Sequence, residues 1–321
     1  MSLAKIYDTI ASISPFCEIT LRNIYWKNVG KLNKYNPNKA SGKKEEKPHV
    51  DFEKVEDWLK AQGVGEGSLL IVHSSYEGLD CTGLTPEQIV ERLLAIVGST
   101  GTLCMPVIRR FKEEVKARKE RRPLTEIECK YDVKKTLVSS GMMPFVLMRK
   151  TEAKISHFPL NPLCAVGPLA APMMEHNLEG DLPSPHGPNS AWKFCVDHNA
   201  LICSLGTNLE HHNTTIHVAE EAYGDWPCTD DEWYEQRKFE IIDENKQSQK
   251  VIVKNRKEKW GKLHLAGINL NNAEKKAGIL KSEKIDGQIQ VGFAEASKVI
   301  AFLRERNSKG YPYYVFPWQK K

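Results

Sequence analysis

The chain has 321 residues, 40% of them hydrophobic and 27% charged, which suits a soluble globular protein with a large core. Its net charge of +5, from 46 basic and 41 acidic residues, is too weak for a nucleic-acid partner but compatible with an anionic small molecule. No stretch approaches the roughly 20 apolar residues of a membrane span, which argues against integral membrane contact. The 8 cysteines are dispersed, without a C-x-x-C pair, and several sit in apolar runs, so a reducing cytoplasm is expected.

Residues 1 to about 26 carry spaced apolar side chains (Leu3, Ile6, Ile10, Ile13, Ile19, Leu21, Ile24) and Trp26. That spacing predicts one or two amphipathic helices packed on the body or on another subunit, an interfacial membrane helix being the sharper alternative. Lys31 to Pro48, with Lys34, Lys39, Lys43, Lys44 and Lys47, reads as a solvated linker. Residues 1–48 are thus an extension, and residues 49–321 the globular domain.

Asp51 to Leu59 has helical spacing and ends by Gly63. Ser68 to Val72 is a buried strand delivering His73, Ser74 and Ser75 at its carboxyl end. Pro86 starts a helix that Gly98 stops, and Gly101 to Pro106 is a second strand, which completes a βαβ unit. The hydroxyls and backbone N–H groups of His73-Ser74-Ser75 suit a phosphate or an amide, or else form an ordinary turn. Neither G-x-x-x-x-G-K nor G-x-G-x-x-G occurs, so nucleotide hydrolysis and dinucleotide redox chemistry are disfavoured.

Arg109 to Arg122 reads as an exposed helix or flap. Thr136 to Pro144, including Ser139 and Ser140, is a polar loop entering a helix over Phe145 to Arg149, where Ser140 could cap the helix or meet a ligand. Leu163 to Gly167 is another strand, and Pro183 to Ser190, with His186, is an irregular segment able to line a pocket. Ala200 to Gly206 is a strand whose carboxyl end leads into Asn208-Leu209-Glu210-His211-His212-Asn213-Thr214-Thr215-Ile216-His217-Val218-Ala219-Glu220, with His217 opening a helix. Ligands bind at such strand ends in open α/β sheets. Val291 to Arg304 reads as an amphipathic helix packed on the sheet.

The order of Val72-His73-Ser74-Ser75, Gly101 to Pro106, Thr136 to Met142, Ser184 to Ser190, Leu205-Gly206 and Asn213 to Glu220 resembles the aminoglycoside 3-N-acetyltransferase family, from about Asp51 onward. The resemblance implies an α/β fold with a mixed central sheet and helices on both faces, distinct from the common small acetyltransferase fold. It implies acetyl- or acyl-coenzyme A as co-substrate, a primary amine on an amino sugar as acceptor, and a catalytic role for His217. The acceptor is then an aminoglycoside or a nucleotide-linked amino sugar of polysaccharide biosynthesis, toward which the basic balance leans.

Histidine chemistry agrees, because an amine must be deprotonated to attack a thioester and imidazole is the base poised near neutrality. A carboxylate on its second nitrogen would orient it. Glu220, three residues on, shares a helix face with His217 and is one candidate. The family's usual partner is an acid on a downstream strand, which corresponds to Glu240, with Asp243 in reserve. Coenzyme A would then run from a thioester at His217, along Asn213, Thr214, Thr215, Thr136, Ser139 and Ser140, to phosphates at His73, Ser74 and Ser75.

Cys203 and Cys228 lack the flanking groups of an activated thiolate, so direct transfer is expected. Where the family has a His-Pro pair, Phe158 intervenes here between His157 and Pro159. Asp225, Asp230, Asp231 and Glu232 are either an acceptor patch or a solvated loop. The aromatic tail, Tyr311 to Trp318, covers the core or the interface of a homodimer. A different chemistry, a metal-dependent hydrolase using Glu210, His211, His212 and His217, is disfavoured by the five-residue step from His212 to His217, since helical ligand pairs are spaced by three or four. No metal is therefore expected.

Overall fold

In the computed structural model of the chain, residues 3–32, 48–209 and 213–316 are described. Two helices come first, α1 (Leu3–Ala11) and α2 (Pro15–Leu32), then α3 (Glu53–Ala61), β1 (Leu69–Ser74), α4 (Pro86–Val97), β2 (Thr102–Pro106), α5 (Lys112–Glu120), β3 (Glu128–Asp132), α6 (Met142–Met148), β4 (Lys154–Ile155) and β5 (Leu163–Val166). There follow α7 (Ala170–Glu175), α8 (Ala191–Asp197), β6 (Leu201–Leu205), α9 (Val218–Glu221), β7 (Tyr234–Ile242), β8 (Ser248–Arg256), α10 (Gly267–Lys276), β9 (Lys281–Ile285), β10 (Ile289–Glu295) and α11 (Ala296–Arg304).

Seven strands form a mixed sheet in the order β4-β5-β2-β1-β6-β10-β9, in which β1 runs parallel to both β2 and β6 and the outer pairings are antiparallel. Buried on both faces, β1 reads as a continuous apolar run rather than an alternation. Its Leu70 and Val72 pack with α3, α4 and α6 on one face, while Leu69 and Ile71 pack with α7, α8, α10 and α11 on the other. The expected mixed α/β architecture is therefore observed. A second sheet, β3-β7-β8, lays Phe239, Ile241 and Val253 onto the first of these cores.

The expected start of α4 holds in detail. Thr85 Oγ1 accepts from Gln88 N and Gln88 Oε1 accepts from Thr85 N, a reciprocal cap worth about 1 kcal/mol on its threonine side. The segment from Val291 to Arg304 is not one helix: it is strand β10 as far as Glu295, followed by α11. Val291 and Phe293 repeat every second residue and pair with Leu205 and Cys203, so the sheet's missing neighbour overrides the helical reading of those apolar positions. Ser140 does not cap α6. Its hydroxyl accepts from Ile108 N and donates to Pro106 O, tying the loop to the exit of β2.

The amino-terminal helices are anchored by one buried acid. Glu18 of α2 accepts from Ile268 N at 3.0 Å and Asn269 N at 3.1 Å, so a carboxylate fills the unsatisfied donors at the start of α10. Arg22, four residues on, holds the same carboxylate at 3.1 Å and reaches Gly261 O. Ala11 and Ile19 are buried, whereas Ile13 and Ile24 face solvent. No described helix is long and apolar enough to cross a membrane. The expected linker lysines Lys34, Lys39, Lys43, Lys44 and Lys47 lie outside the described residues, as do Pro317 and Trp318 of the tail.

Candidate active site

The carboxyl ends of β1, β2 and β6 open at one edge of the sheet, because all three strands are parallel. The loops leaving β1 and β6 approach backbone to backbone there: a Cβ on Gly78 would lie 1.9 Å from Gly206 O, and Gly206 itself has φ +69°. Glycine at both places is what allows that approach. Beside it lies a cleft of about 940 Å³ whose walls include His73, Ser74, Ser75, Ser139, Ser140 and Thr214. Asn161 and Thr207, which the sequence did not single out, line it too.

Thr136 lies elsewhere. Its hydroxyl accepts from Asp132 N and its carbonyl accepts from Arg109, so it belongs to the wall of a neighbouring cavity of about 500 Å³. Ser74 Oγ in the cleft wall, and Asn213 Oδ1 and Thr215 Oγ1 on either side of the cleft residue Thr214 but not themselves in its lining, are buried with no hydrogen-bond partner among the described residues. A buried polar atom without a partner costs about 1–3 kcal/mol, so such a set fits a ligand rich in amides and oxygens. The residues present thus fit an acyl-coenzyme A.

Thr214 to His217 forms one 3₁₀ turn that runs straight into α9. Residues three apart eclipse in such a turn, so His217 lies on the same side of the turn as Thr214, although among the described residues it is not part of the cleft lining itself. Its Nδ1 is 2.9 Å from Glu220 Oε1, and its Nε2 is 3.0 Å from Nη2 of Arg256 on β8. A guanidinium can only donate, so Nε2 is the accepting nitrogen and Nδ1 carries the hydrogen given to Glu220. Glu220 also accepts from the hydroxyl of Tyr313 at 2.6 Å and from Arg256 Nη1 at 3.3 Å. The sequence-expected partner, Glu240, is not at this corner. It sits on β7, where it accepts from Ser248 Oγ and faces Lys130, because strand pairing holds it on the open side of the small sheet. Asp243 caps the turn after that strand, accepting from Asn245 N and Gln247 N.

Burial first, and the Arg256 guanidinium second, push the His217 imidazole down to about 4, against the upward pull of Glu220. Burial alone would raise the Glu220 carboxyl, but His217 and Arg256 outweigh it and hold the group below its ordinary range. The corner is therefore a neutral imidazole backed by a carboxylate across neutral pH. A second pair flanks it. His186, with its ring centroid 5.2 Å from that of His217, donates its backbone N–H to Glu221 at 3.1 Å and brings Nε2 to 3.4 Å from Asn161 of the cleft wall.

Arg256 and Tyr313 are the residues that sequence reasoning missed at this corner. Tyr313 lay in a tail expected to cover the core, whereas nothing in the pattern around Arg256 distinguishes it from the other cations of β8. His157 is paired with Glu244 at 2.9 Å in a separate cavity. Asp225 pairs with Arg304, Asp230 accepts from Trp233 N, and Glu232 pairs with Lys259. Glu210, His211 and His212 lie outside the described residues, and no group of three or more metal-ligating side chains occurs among those that are described.

The family model described as aminoglycoside 3-N-acetyltransferase matches residues 71–306. No curated protein matches the sequence. Among solved structures, the chain is similar to aminoglycoside acetyltransferase AAC(3)-Xa, with a TM-score of 0.65 and 19% identity over 80% of this chain and 94% of that one. It is also similar to AAC(3)-IIb, with a TM-score of 0.64 and 22% identity over 82% of this chain and 100% of that one. AAC-IIIb in binary complex with CoASH gives a TM-score of 0.63 and 18% identity over 82% and 100% of the two chains. At these identities the likeness speaks for the fold.

Proposed function

Since the chain belongs to the aminoglycoside 3-N-acetyltransferase family and is thus a coenzyme A-dependent N-acetyltransferase with acetyl-coenzyme A as co-substrate, we propose that His217 is its general base. The acceptor is a primary amine on an amino sugar, either an aminoglycoside or a nucleotide-linked amino sugar of polysaccharide biosynthesis. The observation that carries this reading is the 2.9 Å hydrogen bond from His217 Nδ1 to Glu220 Oε1, one turn beyond the cleft residue Thr214.

In the proposed reaction the acceptor nitrogen attacks the thioester carbonyl, the C–N bond forms, and His217 Nε2 takes the proton that the nitrogen sheds. Glu220 holds the Nδ1–H tautomer and steadies the imidazolium that results. The C–S bond then breaks, and the thiol leaves with the proton that His217 returns. Thr215, whose hydroxyl is buried without a partner among the described residues, is suited to donate to the transient oxyanion. Ser74, Ser75, Ser139, Ser140 and Thr214 would hold the pantetheine and phosphate portions, with His73 in the same wall.

Transfer is direct. Burial keeps the Cys203 thiol far above its ordinary range and pushes Cys228 up to about 11, so neither supplies a thiolate at neutral pH. Residues 49–321 would form the acyltransferase domain, with α2 docked on it through Glu18. The test is thiol release from acetyl-coenzyme A across aminoglycosides and nucleotide-linked amino sugars, run beside His217→Ala. General-base catalysis is worth about 10²–10⁴-fold, and a loss of that size in the variant is expected. Full activity in His217→Ala would sink the assignment.

A further inference from the structure

The lone pair that His217 needs for catalysis is already in use. Arg256 Nη2 donates into Nε2 at 3.0 Å while Nη1 reaches Glu220, and the guanidinium carbon lies 5.4 Å from the centre of the Tyr313 ring. Nothing can give a proton to Nε2 while a guanidinium occupies it, and an imidazolium formed there would face a permanent cation at hydrogen-bond distance. If His217 is the base, Arg256 must therefore move aside in every turnover.

The surroundings say what can draw it away. Arg256 emerges on the same face of β8 as Lys254, whose ammonium rests 3.9 Å over the Tyr234 ring, so this approach to the site presents two cations. The charged and titratable groups packed around the guanidinium are Glu220 and Glu221 of α9, His186, Tyr234 of β7 and Tyr313 of the tail. Both glutamates are already engaged, Glu220 by His217 and Tyr313, Glu221 by the backbone of His186. The Arg256 side chain is 17% exposed, enough to meet an incoming ligand. Coenzyme A cannot bring its own phosphates there while its thioester sits at His217, because the pantetheine arm separates the two. The anion must come with the acceptor.

We infer that Arg256 is a specificity residue that releases His217 when an anionic group of the acceptor, a phosphate or a carboxylate, takes over its hydrogen bonds. The acceptor is then an amino sugar bearing such a group, and a polycationic aminoglycoside is disfavoured because it leaves Arg256 on the base. This rests on the reading of His217 as base.

Two measurements on the full chain test it. First, the His217 ring is titrated by NMR in wild type, Arg256→Met and Arg256→Lys, with and without inorganic pyrophosphate as probe. Both Arg256→Met and added pyrophosphate should raise the titration midpoint, and pyrophosphate should have no further effect in Arg256→Met; an unmoved midpoint in both cases overturns the inference. Second, kcat and KM are compared for a nucleotide-linked amino sugar, an amino uronic acid, the corresponding neutral amino sugar and sisomicin. Wild type should favour an anionic acceptor over sisomicin by about 10²-fold in kcat/KM, and whichever of the two anions is preferred identifies its source. Arg256→Met should lose that preference from both sides, the anionic acceptor's kcat/KM falling as its partner is lost and sisomicin's rising as the base is freed, and Arg256→Lys should restore part of it. A wild type that favours the polycation, with Arg256→Met unchanged in its preferences, overturns the inference. Full activity in His217→Ala would instead remove the base itself, whatever Arg256 does.

Discussion

Two histidine–glutamate pairs in this chain have the same spacing and use the same atoms, yet they end in opposite states. His176 Nδ1 meets Glu179 Oε1 at 2.7 Å and His217 Nδ1 meets Glu220 Oε1 at 2.9 Å, each pair three residues apart. At the exposed end of α7, the Glu179 hydrogen bond raises the His176 imidazole above its ordinary value. At the buried corner, desolvation and Arg256 more than cancel the same kind of bond and drive His217 down to about 4. A carboxylate three residues away thus states only that a pair can form. Water, and what else touches the ring, decide whether the pair is a surface ornament or a held, neutral base.

The contrast can be broken most strongly at the carboxylates. Glu220→Gln removes the charge behind His217 and should lower kcat/KM by about 10²-fold, the scale seen when an orienting partner of a catalytic group is lost. Glu179→Gln, the matched change at the surface pair, should leave kcat/KM within about twofold. Equal losses in the two variants, measured by thiol release, would dissolve the distinction.

The pH dependence of stability sharpens it next. His217 has a folded value below its unfolded one, so the unfolded chain binds a proton that the fold refuses between about pH 6.5 and pH 4. The stability tied to this group is whole above that window and lost as pH falls through it. Glu220, depressed in the fold, loses its contribution in the same direction at lower pH. His176, raised in the fold, has the opposite sign: its small contribution is present at low pH and lost as pH rises through its folded value. Wild type should therefore lose more Tm between pH 7 and pH 5 than His217→Gln does, by a few degrees, given that about 1 kcal/mol moves Tm by roughly 2–4 °C for domains of this order of size. Parallel slopes in the two proteins would refute the buried assignment.

Smaller effects are expected at the edges. Tyr313→Phe deletes one hydrogen bond to Glu220 and should lower kcat/KM by roughly 3- to 10-fold, consistent with about 1 kcal/mol for one such bond. Glu240→Gln acts among Ser248, Lys130 and Lys250 on the open face of the small sheet and should leave kcat/KM within about twofold. A loss as large as that of Glu220→Gln would return Glu240 to the centre of the mechanism.

Much of the framework was legible because it is local. The buried apolar runs of β1, β2, β5 and β6, the Pro86 start and Gly98 stop of α4, and the step from β6 into the Thr214–His217 turn each depend on residues adjacent in the chain. Six cleft-wall residues were anticipated from three separate segments, His73, Ser74 and Ser75 at the end of β1, Ser139 and Ser140 ahead of α6, and Thr214 beyond β6; those at β1 and β6 were legible because parallel strands deliver their ends to one edge. The stretch from Val291 to Glu295 was misread because its apolar residues fit two periods, and only an open edge of β6 selects the strand. Glu240 was misjudged because its place depends on which face of a separate sheet it occupies, a question of pairing register.

Patterns a few residues long carry the alternation of strands and helices, the family, and the histidine at the strand-to-helix corner. Tertiary structure alone decided the company that histidine keeps. Arg256 reaches it from 39 residues away and Tyr313 reaches its partner Glu220 from 93, and no local pattern encodes a contact between strand, turn and tail. Nor does the chain's charge count reveal that one of its cations sits on the Nε2 nitrogen of His217. Burial at that contact makes the His217 imidazole neutral, and burial is a property of the assembled core rather than of any segment within it.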